Sequence, residues 1–306
     1  MRALIGSLRG SLSLLLFALN TIVWTLPLLL SHLLKLLLPA GRWRTFWSRV
    51  QNGIGTLWIS FNNLNLRVLN PVRWDVQGVE GLPPQEWYLV VANHRSWVDI
   101  LVLQKVFNRK IPFLKFFLKK ELLWVPFLGV AWWSLDFPFL ERSARANKDL
   151  ETILAAAEKF KILPVSIMNF VEGTRFTAEK NEQQRSAYRH LLTPKAGGLT
   201  FILSAMGERL HAILDVTIAY PGGTPTFWQF LCGEVREIRV RAKTVPVEKA
   251  LLGDYAKDKA FRREFTNWLA GMWAAKDEEM AALLGSTPGS EDTEDREFAA
   301  RGPEKK

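Results

Sequence analysis

The run Ser11–Ala40 restricts what this chain can become more than any other stretch. It is almost wholly apolar, with Asn20, His32 and Lys35 as its main interruptions. Its first part, Ser11–Leu30, reaches the roughly 20 residues that a helix needs to cross a hydrocarbon core. So much unbroken apolar surface asks for lipid. A cleaved export signal fits poorly, because the run is too long and no small-residue cleavage pattern precedes Gly41. A half-inserted helix is a second solution. A hairpin is a third, with Trp43–Leu69 as the return arm. That arm carries Trp43, Trp47, Val50, Ile54, Leu57, Trp58 and Phe61 at near-helical spacing. Arg2 and Arg9 precede the apolar run, and Arg42, Arg44 and Arg49 follow it, so the charge rule for topology does not choose a side. A re-entrant anchor, with both flanks on the cytoplasmic face, resolves that conflict.

Beyond the anchor, Tyr88–Ala92 reads as a buried strand and Trp97–Phe107 as a helix. Asn93 and Ser96, both turn and cap formers, lie between them. Within that junction stand His94 and Asp99. In one regular helix, five positions would place them roughly 140° apart. They meet if His94 sits in the turn and Asp99 about one turn into the helix. Asp99 then accepts the Nδ1 proton of His94 and leaves Nε2 free to take a proton. Further on, Glu172-Gly173-Thr174-Arg175 follows the strand-like run Pro164–Val171 and supplies a candidate anion clamp. A base with its orienter and an arginine point to proton removal from a hydroxyl on a phosphate-bearing substrate.

Other chemistries find no support. His32, His94, His190 and His211 lack metal-ligand spacing, and Cys232 is the single cysteine. No strained Gly-x-Ser-x-Gly turn and no Gly-rich phosphate loop occurs. His32 is expected to serve the apolar region. His190 and His211 read as surface or strand-start residues, and Cys232 as a small buried apolar group.

In their order, these blocks resemble the glycerophospholipid acyltransferases, specifically the 1-acyl-glycerol-3-phosphate acyltransferases. Asn93, His94 and Asp99 match the first block of that family, and Glu172 to Arg175 match the third in full. Gly129–Arg142 resembles the second block, and Leu214–Pro221 is a divergent version of the fourth. The resemblance implies an O-acyltransferase in which the substrate hydroxyl is the nucleophile. His94 would remove its proton during attack on an acyl thioester, and Asp99 would steady the imidazole. Arg175, helped by Arg142, would bind the acceptor phosphate. Glu172 would order the site, Gly173 would permit a tight turn, and Thr174 would bond phosphate or cap the turn. No resident cofactor or metal is implied; acyl-CoA or acyl carrier protein would be the co-substrate. The product would be phosphatidic acid, with another lysophospholipid as the alternative acceptor.

The formal charge of +10 also invites a nucleic-acid reading. Much of the excess stands beside aromatic residues, as in Lys110–Lys120, which suits an anionic bilayer interface. With the apolar N-terminus, lipid is favoured over nucleic acid; a non-enzymatic basic membrane or nucleic-acid binder is the competing class. The expected architecture is α/β, a sheet flanked by helices behind an N-terminal apolar helical membrane anchor. Strands are expected at Arg73–Gln77, Tyr88–Ala92, Pro164–Val171, His211–Ala219 and Arg236–Ala242. Helices are expected at Trp97–Phe107, Ala144–Phe160, Ala196–Met206 and Asp254–Leu284. Residues 1–70 form the anchor and amphipathic segment, 71–284 the acyltransferase domain, and 285–306 a disordered tail. Leu122–Leu140 reads as a weak second membrane candidate or as the wall of an acyl groove. The inner (cytoplasmic) membrane, with the domain facing the cytoplasm, is the expected location.

Overall fold

The computed structural model describes residues 2–37, 41–141 and 146–285. The tail 286–306 and the stretch 142–145, with Arg142, lie outside the described residues. The chain opens with α1 (Arg2–Leu36), which turns back into α2 (Arg42–Leu69) to make a helical hairpin. At 1.5 Å per residue, α1 is about 52 Å long, more than a bilayer core requires. Leu4, Leu8, Leu12, Leu15, Leu19, Val23, Leu26, Leu30 and Leu33 recur every three or four residues along it, and all are exposed. This stripe faces away from the rest of the chain.

The two arms meet through polar groups. Asn20 donates to Asn62 Oδ1 at 2.8 Å, Asn65 donates to the Ser13 carbonyl at 3.0 Å, and the Trp58 indole donates to Thr21 Oγ1 at 3.1 Å. The face that α2 buries is Gln51, Gly55, Ile59, Asn62, Asn65 and Leu66. The Trp-rich stripe of α2 is only partly covered, with Phe61 half exposed. Where the surroundings are apolar, polar side chains tie helices together and apolar ones can face outward.

Among the described residues the domain contains eight strands: β1 (Arg73–Gln77), β2 (Trp87–Ala92), β3 (Leu114–Phe116), β4 (Leu118–Lys119), β5 (Phe139–Leu140), β6 (Ser166–Phe170), β7 (Leu210–Ala219) and β8 (Glu237–Pro246). Six of them form one sheet in the order β1-β8-β7-β2-β6-β3, while β4 pairs with β5. Strands β7, β2, β6 and β3 run parallel; β8 is antiparallel to β7 and carries β1 parallel to itself. Among the described residues the domain also holds seven α-helices: α3 (Val98–Phe107), α4 (Leu128–Ser134), α5 (Ala146–Phe160), α6 (Ala178–Gln184), α7 (Ala196–Met206), α8 (Phe227–Leu231) and α9 (Lys259–Leu284).

Strand β2 is apolar throughout because both its faces are covered. Tyr88, Val90 and Ala92 join Val98, Val102 and Val106 of α3 in one core. Leu89 and Val91 join Ile153 of α5, Leu199 of α7 and Phe265 and Trp273 of α9 in the other. Every expected strand forms, with ends shifted by a few residues. Strands β3, β4 and β5 were not legible because they are two or three residues long. Leu122–Leu140 is not a single span. Around Pro126 and Pro138 it divides into a 3-10 turn (Lys120–Trp124), α4 and β5, since proline cannot donate to a helical ladder. The last helix starts at Lys259, later than expected, where Asp258 Oδ1 accepts from the Ala260 and Phe261 amides.

Candidate active site

The C-terminal ends of the neighbouring parallel strands β7, β2 and β6 deliver Tyr220, Asn93-His94 and Glu172-Gly173 to one place. In an open α/β sheet this edge is where ligands bind. Asn93 anchors the turn after β2: its side chain donates to the Ile218 carbonyl at 3.0 Å and accepts from the Ile218 amide at 2.8 Å. The chain then turns into α3, placing His94 before the helix and Asp99 in its first turn.

Asp99 is fully buried, and its oxygens divide the work. Oδ2 accepts from His94 Nδ1 at 2.9 Å, from the Arg95 amide at 2.6 Å and from the Ser96 amide at 2.8 Å. Oδ1 accepts from the Tyr220 hydroxyl at 2.6 Å. Four donors fix this carboxylate in orientation. The Nδ1 contact assigns that nitrogen the proton, so Nε2 is the basic position. Phe170 stacks on the imidazole with centroids 4.0 Å apart, and the Phe176 amide donates to the His94 carbonyl at 2.7 Å. Burial and the Asp99 charge push the Tyr220 phenol well above its ordinary range, so it stays a donor.

Glu172 does not face the cavity as a clamp. It is buried; Oε1 accepts from the His94 amide at 3.0 Å and Oε2 from the Leu192 amide at 3.2 Å. Burial pushes its carboxyl up to about 8, against the pull of those amides and of Arg95. It therefore joins the turn after β6 to the turn after β2. Gly173 adopts φ +70°, the left-handed region that glycine enters without a Cβ penalty. Thr174 Oγ1 accepts from Lys180 Nζ at 2.9 Å. The Arg175 guanidinium lies 4.8 Å from the Trp97 ring centroid. That stacking leaves its fork available to an anion.

His94, Gly173, Thr174 and Arg175 line a common cavity of about 290 Å³. Its far wall is apolar, formed by Phe116, Phe117, Leu118 and Leu122, with Lys119 beside them. The structure thus brings His94, Asp99, Glu172, Gly173, Thr174 and Arg175 together. The sequence reading gave no role to Tyr220, Arg95 or Phe170. Tyr220 ends the apolar run of β7 just before Pro221, and that position was its only signal. Arg95 ties the surrounding loops: it donates to the His190 carbonyl and to Thr224 Oγ1, both at 3.2 Å, and covers the Phe176 ring.

Residues 73–221, from β1 through the turn after β7, match the family model described as Acyltransferase. Over these residues the chain is similar to the acyltransferase family. A 1-acyl-sn-glycerol-3-phosphate acyltransferase of Arabidopsis thaliana is 32% identical over 174 residues, which take in 52% of this chain and 46% of that protein. A lysocardiolipin acyltransferase of Danio rerio is 29% identical over 264 residues, 80% of this chain and 66% of that protein. The chain thus spans about half to two thirds of the length of these relatives. The solved 1-acyl-sn-glycerophosphate acyltransferase of Thermotoga maritima aligns with 90% of this chain and 98% of its own, at 20% identity and a TM-score of 0.49.

Proposed function

We propose that this acyltransferase domain moves a fatty acyl group from a thioester, acyl-CoA or acyl carrier protein, to the free hydroxyl of 1-acyl-glycerol-3-phosphate, giving phosphatidic acid. The observation that carries this reading is the cavity shared by His94 and Arg175. In the proposed step, Nε2 of His94 takes the hydroxyl proton as the oxygen attacks the thioester carbonyl. The C–O bond forms, and the tetrahedral intermediate expels the thiolate. His94 returns the proton to sulfur. Asp99, fixed by Tyr220, stabilises the imidazolium that exists between these events. Arg175 holds the acceptor phosphate through charge-assisted bonds, and the wall of Phe116, Phe117, Leu118 and Leu122 carries an acyl chain. No enzyme nucleophile is required.

A second acceptor class is favoured by one observation: the Danio rerio relative named a lysocardiolipin acyltransferase aligns over more of this chain than the Arabidopsis thaliana relative named a 1-acyl-sn-glycerol-3-phosphate acyltransferase. The exposed stripe of α1 supports attachment to a bilayer, and a re-entrant hairpin would keep the domain on the cytoplasmic side of the inner membrane. The test is incorporation of labelled acyl chains by membranes containing the full chain, across a panel of lysophospholipids. His94→Ala is expected to lose about 10²–10⁴-fold in rate. Transfer at the wild-type rate by that variant would remove His94 as the base. The preferred lysophospholipid identifies the acceptor.

A further inference from the structure

A second cavity, of about 330 Å³, opens where the helical hairpin meets the edge of the sheet. It shares no lining residue with the acyl-transfer cavity. The two lie on opposite faces of β3: Phe116 lines the site cavity and its neighbour Lys115 lines this one. Four cations face the second space, namely Lys35 from the last turn of α1, Arg44 from the first turn of α2, Lys115 and Lys159. One carboxylate, Asp136, answers them.

The local pairing leaves an excess of positive charge. Asp136 pairs with Lys35 and lies 3.3 Å from Lys159. Lys35 also donates to Gln51 at 3.2 Å, and the end of the α1 dipole offsets part of its charge. Among the described residues no carboxylate makes an ion pair with Lys115, although Asp136 is close enough to act on its charge. Its ammonium donates to the Leu135 carbonyl at 2.6 Å and sits 5.2 Å from the Phe160 ring centroid. The sequence reading placed Lys115 on an exposed basic face; the structure buries it. Burial pulls its amine down to about 8, against the opposing pull of Asp136 and with Lys35 and Lys159 adding to the fall.

The neutral lining fits the same ligand. Thr45, Ser48 and Asn52 follow one another at helical spacing on α2 and line the space, the Thr45 hydroxyl donating to the Gly41 carbonyl at 3.2 Å. The floor is apolar, running from Phe160 through Ile162 to Val165. Cations and small polar side chains over an apolar floor match an oxyanion on a greasy carrier. The cavity also lies at the end of α1 where the exposed leucine stripe stops, so a lipid head group would meet it there.

We infer that this basic cavity binds a phosphate anion, supplied by the head group of a bilayer phospholipid, and that it is a lipid site separate from the one where acyl transfer is proposed. The inference stands on the cavity's charge and position and does not depend on the acyl-transfer reading.

The test uses the full chain purified in a zwitterionic detergent. Its melting temperature is followed against inorganic phosphate, with sodium chloride at matched ionic strength, and against added phosphatidylglycerol, with phosphatidylcholine as control. A ligand that binds the folded state raises the midpoint. The Arg44→Ala/Lys159→Ala pair removes two exposed cations and leaves the core intact; an equal charge change far away, Lys257→Ala/Arg263→Ala, is the control. A saturable rise with phosphatidylglycerol alone, shifted roughly tenfold or more in half-saturating concentration by the cavity pair and not by the control pair, establishes the lipid source. The same pattern with inorganic phosphate as well establishes a site for free phosphate too. No saturable rise with either, or a rise that both pairs leave unchanged, overturns the inference.

Discussion

Replacing Tyr220 by phenylalanine deletes one oxygen, and the structure gives that oxygen a defined task. Asp99 Oδ1 accepts from the Tyr220 hydroxyl at 2.6 Å, while its three other donors all bond Oδ2. Among the described residues nothing else donates to Oδ1, and Asp99 is fully buried, so water cannot replace the phenol. A hydrogen bond to a charged group contributes about 1.5–3 kcal/mol, and a buried acceptor left without one forfeits the larger share. The variant is therefore expected to be about 2–3 kcal/mol less stable. The kinetic effect follows from position. Oδ2 keeps its three donors, so without the phenol the carboxylate is free to rock about that oxygen and the His94 ring is held less firmly. If a third to a half of the lost energy reaches the imidazole, kcat falls by roughly 3–10-fold. The assay is kcat and KM of acyl transfer in wild type and Tyr220→Phe, with folding checked by thermal melting. A merely structural tyrosine would lower the melting temperature and leave kcat where it was; that outcome refutes the coupling. The double variant with Asp99→Asn gives an independent check, because Tyr220→Phe should add little once the carboxylate is gone.

Arg175→Ala should weaken handling of phosphorylated acceptors by about 10–100-fold in kcat/KM and leave an unphosphorylated monoacylglycerol unaffected. Equal losses on both acceptors would exclude a phosphate clamp. Glu172 should leave a mark on stability. Its carboxyl is held up at about 8 from an ordinary 4.5, so the folded state keeps a proton that the unfolded chain releases. Its contribution is complete below about 4.5, declines as the pH climbs and is gone above about 8. The difference in unfolding free energy between wild type and Glu172→Gln should thus shrink by several kcal/mol, in order of magnitude, across that window. Denaturant titrations of both proteins in detergent measure it, and a constant difference would contradict the buried proton.

The primary structure already contained what depends on near neighbours. The pairing of His94 with Asp99 is local, because a strand, a turn and the first turn of a helix suffice to bring residues five apart into contact. Apolar periodicity likewise located β2, β7 and the long helices, since burial on a sheet or along a helix imposes a repeat that does not depend on the rest of the fold. The glycine of Glu172–Arg175 marked a tight turn for the same kind of reason. What remained hidden required strand order. Glu172 reaches the His94 amide across 78 residues, and Tyr220 reaches Asp99 across 121. Nothing in either residue's own surroundings announces that β6 and β7 will flank β2. Lys115 shows the reverse error: a lysine among aromatics reads as surface, yet pairing of β3 beside β6 carries it indoors. Which face of α2 turns inward was likewise open until α1 packed on it, and Gln51, Gly55, Ile59, Asn62, Asn65 and Leu66 are the residues that become buried. Local pattern therefore decided the elements and the base with its orienter. Tertiary packing decided their supporting contacts and the second cavity, because those depend on groups that meet only after distant strands have chosen partners.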